Sequence, residues 1–326
     1  MISYQIEALI LNFDERRNQY MYIVLKNVVI LFVLIFLGYF LGKKEIVHNH
    51  CAPDLSNFLV KVTLPATVFC SMIRPFQKSL LSDSVELFVI VIIFHLLCML
   101  IGFAVIKVCK IPSVQTGVWI FVCMFSNNGF MGFPLAESIY GNNGLFLMAI
   151  ANVVSNFLIF SLGVKLLTGG QMVDKLSGRQ LFYNNINIAV VFGLVFYFTQ
   201  WQLPEIILTI LKDIGGLTAS LSMIVVGLSL SKSKVKEMFQ NKKIYLLTSV
   251  RLLLVPFITI FITRLIPFGN NSMIQGLLIL MSALPAASTV SIITEQYHKD
   301  TEAAAQAIFM TTLFSLITIP LVMYFV

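Results

Sequence analysis

The chain has 326 residues, of which 58% are hydrophobic and only 11% charged, with a formal net charge of +7. A soluble domain carries about 25% charged residues, so this composition leaves too few to cover a water-facing surface. The basic residues sit at the ends of apolar runs, which excludes a nucleic-acid partner and fits the charge pattern of a membrane protein.

Residues 1–22 read as an N-terminal extension. The apolar stretch 6–13 has no basic flank before it and is cut off by the charged cluster 14–17, so it suits neither a signal peptide nor a span. Met21 is an alternative start, and a chain beginning there is expected to insert and transport normally. Ten apolar spans follow, at 23–42, 54–73, 85–107, 113–139, 144–167, 183–200, 204–230, 244–266, 272–294 and 302–325. About 20 apolar residues cross the hydrocarbon core as a helix, and lipid forces each backbone to satisfy its own hydrogen bonds.

The longest connection, 168–182, divides the chain into 23–167 and 183–326, with five spans each. An odd number of spans per half makes the second half enter the membrane from the opposite side, which is the plan of an inverted repeat. With the N-terminus outside, 13 Lys and Arg fall on cytosolic segments and 6 on outer ones. The positive-inside rule therefore puts both termini outside and 168–182 in the cytosol as a linker, in the cytoplasmic (inner) membrane.

Spans 4 and 9 occupy equivalent places in the two halves, and both are interrupted. The first contains Ser126, Asn127, Asn128 and Gly129, then Gly132 and Pro134; the second contains Pro285, Ser288 and Thr289. Proline removes a helix hydrogen bond, and Gly and Asn favour non-helical backbone. Matched breaks near the midplane are a pointer to a substrate site, where half-helix N-termini favour an anion.

Asn127 and Asn128 are the leading binding candidates, because their amides donate to a carboxylate without burying a charge. Alanine at 127 is expected to weaken substrate binding and to spare the fold. Ser288 and Thr289 complete the cradle, and Asn152 and Asn156, four apart, share a face of span 5. Arg251 lies about eight residues into span 8, roughly 12 Å deep at about 1.5 Å per residue, where it either balances substrate charge or snorkels to the cytosolic face. Glu137 and Glu295 are the candidates to carry a coupling proton, with water-exposed helix ends as the alternative. Lys61 reads as a snorkelling residue, Lys212 and Asp213 each need their own partner, and His95 reads as a core histidine.

The five cysteines form no C-x-x-C pair and read as small hydrophobes, and the loop residues His48, His50 and Cys51 lack a fourth matched ligand. No metal or cofactor is expected.

Several fragments resemble the auxin efflux carrier family. They are Ile35-Phe-Leu-Gly-Tyr39, Leu64-Pro-Ala66, Phe125-Ser-Asn-Asn-Gly-Phe-Met-Gly-Phe-Pro-Leu135 continuing to Tyr140-Gly141, Val226-Gly-Leu-Ser-Leu230, Arg251-Leu252 with Pro256, and Ala283-Leu-Pro-Ala286 leading to Glu295-Gln-Tyr297. The likeness runs from about residue 23 to the C-terminus. It implies an all-α membrane protein with ten helices in a five-plus-five inverted repeat, related to the bile-acid symporters. Helices 1, 2, 6 and 7 would form a scaffold, and helices 3–5 and 8–10 a mobile unit whose helices 4 and 9 cross at their breaks.

Plant members of that family export auxin; bacterial members, which the short central connection resembles, are linked to malate, malonate and similar carboxylates. Family carriers often have a proline at the helix 4 crossover, where this chain has Ser126 or Asn127. Plant carriers have a lysine shortly after the Gly-x-Pro-Leu turn, where this chain has Glu137. Both departures argue against auxin itself as substrate.

The expected function is secondary transport of a small organic anion, with a proton or sodium as the coupling ion and membrane lipid around it. The scaffold helices allow a homodimer. The rival readings are a sodium-coupled carrier like the bile-acid symporters, an intramembrane enzyme and a membrane sensor. H-E-x-x-H and G-x-S-x-G are both absent from the sequence, which weighs against the enzyme.

Overall fold

Long apolar runs become helices here because helical hydrogen bonds are the only ones an isolated segment can complete in lipid. The computed structural model describes residues 2–48, 51–170, 184–231, 239–265 and 272–326, with side chains from residue 18 onward. Among these residues eleven helices follow in order. They are α1 (Ile2–Lys43), α2 (Cys51–Met72), α3 (Lys78–Cys109), α4 (Ser113–Met124), α5 (Asn128–Thr168), α6 (Asn185–Thr199), α7 (Glu205–Ser231), α8 (Lys242–Leu265), α9 (Ser272–Ala283), α10 (Thr289–Gln296) and α11 (Thr301–Met323).

Seven of them are long and apolar enough to cross a membrane, namely α2, α3, α5, α7, α8, α11 and the part of α1 from Asn18. The helices α4, α6 and α9 are apolar but shorter. The shortness of α4 and α9 has a direct cause, since each stops at an interruption read from the sequence. At about 1.5 Å per residue the 41 residues of α5 would reach roughly 60 Å, twice the hydrocarbon thickness. Gly141 divides it, with φ 64° and ψ −158°, a conformation that a residue with a Cβ resists.

Four wide, π-type turns interrupt the helices, at Leu59–Thr63, Asn128–Gly132, Ile159–Gly163 and Val250–Leu254. Three of them end two residues before a proline, Pro65, Pro134 or Pro256. A proline ring clashes with the carbonyl of the preceding turn, and widening that turn relieves the clash.

The helices pack in two groups that also touch each other, α1 on α5 and α11 and α2 on α5. In the first, α1 lies along α7, and α2 packs on both α6 and α7. The α1–α7 approach is close because Gly38 and Gly227 face each other's backbone. A Cβ on Gly38 would fall on the carbonyl of Ile224, and one on Gly227 on the carbonyl of Ile35. Gly42, four residues after Gly38, leaves the same kind of room for Ser231, so the helix carries a small-x-x-x-small stripe. In the second group α3 packs on α4 and α5, while α8, α9 and α11 pack on one another and α9 reaches α5. Large apolar side chains such as Val33, Phe36, Phe192 and Phe257 stay exposed on the outside, as a lipid-facing surface requires.

Candidate substrate site at the helix breaks

The helix α4 ends at Met124, after which Phe125 is extended, with φ −114° and ψ 126°. The helix α9 ends at Ala283, ahead of Leu284 and Pro285. The two unwound segments meet as an antiparallel bridge between Ser126 and Ala286. Asn127 N donates to Pro285 O at 3.0 Å and Ala287 N to Phe125 O at 3.0 Å. Ala286 N points the other way and donates to Thr311 Oγ1 on α11 at 3.1 Å. The interrupted backbones thus satisfy each other, as buried backbone must.

The breaks also release carbonyls. In a continuous helix residue 285 would donate to Met281 O, but Pro285 has no N–H. Residue 127 would donate to Cys123 O, but its N–H goes to Pro285 O instead. Arg251, brought in by the wide turn Val250–Leu254, collects what is left over. Its Nη2 donates to Met281 O at 3.1 Å, to Leu284 O at 2.9 Å and to Ser126 Oγ at 2.6 Å. Its Nη1 donates to Cys123 O at 3.3 Å. Ser126 Oγ in turn donates to Met281 O at 2.7 Å. Arg251 is 0% exposed, so it does not snorkel but sits inside the crossover.

Asn127 is not helical. It has φ −77° and ψ 62°, and its Oδ1 accepts from Phe130 N at 3.3 Å as an N-cap. The expectation that alanine at 127 spares the fold is corrected on this point, because losing such a cap costs about 0.5–2 kcal/mol. Asn128 Nδ2 donates to Ser155 Oγ on α5 at 3.0 Å, while its Oδ1 is buried without a partner. Asn152 Nδ2, one turn before Ser155, is likewise buried and unpartnered, and so is Thr289 Oγ1 at the start of α10. A buried polar atom calls for a partner, and others stand outside the breaks, such as Gln115 Oε1 and Thr318 Oγ1. Gly129, next to Asn128 in the chain, opens onto free space, where a Cβ would meet nothing within 4 Å.

The remaining candidates spread out. Asn156 Nδ2 donates to Asn187 Oδ1 on α6 at 3.4 Å, a contact between the two helix groups. Ser288 is half-buried just before α10, and Glu295 is exposed near the end of that helix. Pro134 and Glu137 line a cavity of about 290 Å³ between the start of α5 and the helices α2 and α7. Thr67, Ser71 and Lys212 face it from those two helices. Lys61 is exposed. His95 is fully buried, its Nδ1 2.7 Å from Val91 O, in keeping with a core histidine. His50 lies outside the described residues, among which no cluster suited to a metal ion occurs.

Sequence reasoning gave no role to Ser155, Thr311 or Ser222, whose Oγ donates to Phe130 O from α7 at 3.1 Å. Ser155 sits between the two asparagines of its span, which is a usable signal. Thr311 and Ser222 come from distant spans with no local cue.

Apolar helices long enough to cross a membrane, interrupted where two unwound segments pair around buried polar groups, describe a multi-pass membrane protein, and its family and relatives point to a transporter rather than an enzyme. A family model described as membrane transport protein matches residues 23–176 and 170–323, and the chain belongs to this family, the auxin efflux carrier family. It is 27% identical over 300 residues to an uncharacterized transporter of Methanothermobacter thermautotrophicus, covering 91% of this chain and 96% of the relative. An uncharacterized transporter of Methanocaldococcus jannaschii is 25% identical over 301 residues, covering 90% of this chain and 96% of the relative. The uncharacterized transporter YfdV of Escherichia coli is 22% identical over 302 residues, with 90% and 94% covered.

Proposed function

We propose that this transporter is a secondary carrier for small organic anions, carboxylates such as malate or malonate, and that it binds them at the paired breaks. The observation that carries the reading is three unpartnered buried polar atoms, Asn128 Oδ1, Asn152 Nδ2 and Thr289 Oγ1, in a chain whose helix breaks hold the buried cation Arg251. A carboxylate offers acceptors to the amide and hydroxyl donors, and the hydroxyl of a hydroxy acid offers Asn128 Oδ1 a donor.

We read α4 with the first arm of α5 as one broken crossing, and α9 with α10 as the other. That gives ten crossings in two inverted five-helix repeats, 23–167 and 183–326. The group α1, α2, α6 and α7 is the fixed scaffold, and the other helices carry the site past it in an elevator-type motion. The 290 Å³ cavity, on the seam between the groups, is the access route to the site. Uptake into proteoliposomes tests the reading with malate, malonate, pyruvate and an aromatic acid, under separate proton and sodium gradients. Saturable uptake of at least one small carboxylate is expected; no uptake of any acid under either gradient would sink the proposal.

The orientation follows from the split of 13 basic residues against 6. Both termini face outward, and 168–182 and 231–243 face the cytosol of the inner membrane. Single cysteines placed in those two loops of a cysteine-free variant should resist an impermeant thiol reagent in intact cells. Rapid labelling of 231–243 would reverse the orientation.

A further inference from the structure

Arg251 is an unusual resident for a membrane interior. Its guanidinium is fully buried, and every hydrogen bond it makes goes to a neutral oxygen: the carbonyls of Cys123, Met281 and Leu284 and the hydroxyl of Ser126. Arginine does not give up its proton in proteins, so this is a permanent positive charge. A buried charge is costly unless something balances it. What balances it here is the C-terminal end of two half-helices. Cys123 lies in the last turn of α4, Met281 in the last turn of α9, and Leu284 directly follows α9. Those ends carry the negative pole of the helix dipole.

The same kind of oxygen set, unwound carbonyls at half-helix C-termini, is what coordinates sodium in carriers built on discontinuous helices. In this chain that set is already filled. The guanidinium reaches it from α8 on a covalent tether, and the missing N–H of Pro285 has freed one of its acceptors. Its Nε is left without a partner.

We infer that Arg251 is a built-in substitute for a coupling cation at the crossover, holding the positive charge that the anion site needs, so that the site works without sodium. The inference rests on the crossover being the transport site. Its consequence is that sodium has no free set of oxygens to bind there, and that removing the guanidinium empties one.

The test needs no substrate, so it can fail while the anion reading stands, and the reverse. The purified full-length chain is melted at constant ionic strength while choline is exchanged for sodium. The wild-type midpoint should not move. Arg251→Ala should melt several degrees lower and regain most of that loss with low millimolar methylguanidinium, which re-supplies the missing fork. Arg251→Lys, which keeps a cation, should fall less than Arg251→Ala. Saturable stabilisation of the wild type by sodium would overturn the inference. So would an Arg251→Ala protein that methylguanidinium restores no better than choline. If Arg251→Ala does not survive purification, the wild-type sodium titration decides alone.

Discussion

Asn128→Ala is expected to weaken binding of the transported anion by roughly ten- to a hundredfold. Asn128 Nδ2 has a second N–H beside the one given to Ser155; a hydrogen bond from it to a carboxylate contributes about 1.5–3 kcal/mol, and about 1.4 kcal/mol is a factor of ten in affinity. The substitution removes both the unpartnered Oδ1 and the amide held at 3.0 Å from Ser155 Oγ. Its effect on stability should be small, about 1 kcal/mol for that one neutral hydrogen bond. Asn127→Ala is the poorer probe, because it also removes the cap on Phe130 N and so mixes binding with folding. Titration calorimetry with an acid shown to be transported reads the affinity, and a thermal melt reads the fold. Wild-type affinity in a folded Asn128→Ala protein would remove this residue from the site.

Gly227→Leu should have the largest effect on the fold. Its Cβ would land on the backbone of α1 at Ile35 and Tyr39, and backbone cannot rotate away as a side chain can. Overpacking of a tight contact costs about 1–3 kcal/mol, and here the whole α1–α7 pair must also part. Gly227→Ala puts the same Cβ in the same place and should show most of the loss. A melting midpoint for Gly227→Leu equal to the wild type would mean that α1 and α7 are not in close contact. Transport should fall along with stability, because this pair belongs to the group proposed to stay fixed.

The breaks were legible because they are written in residues that helices dislike. Asn127, Asn128, Gly129 and Pro285 announce unwinding at the places where the Ser126–Ala286 bridge forms. Arg251 was legible as an oddity but not as a role, since depth along a helix does not say which way a long side chain turns. Only the carbonyls released by the two breaks settle it, and they come from α4 and α9, up to 128 residues away. The cavity that holds Glu137 and Lys212 was hidden for the same reason, being assembled from α2, α5 and α7. The wide turns were missed although three of the four precede a proline. A proline marks its own position in a sequence, whereas the turn it widens lies before it. Gly38 and Gly42 stood four apart in plain view, as a close-packing stripe that hydropathy alone passes over.

The bridge between Ser126 and Ala286 has a consequence for how the protein is made. Its two strands are 160 residues apart in the chain. At about 5–20 residues per second, the ribosome delivers the second strand roughly 10–30 s after the first. For that interval the amide of Asn127 and the carbonyl of Phe125 have none of the partners they find in the finished molecule. Bare lipid offers them no substitute, so the first half has to wait beside the insertion machinery, or partly wetted, until Pro285 and Ala287 arrive. A nascent chain stalled before residue 286 would then stay crosslinkable to that machinery, and one released past Met323 would not.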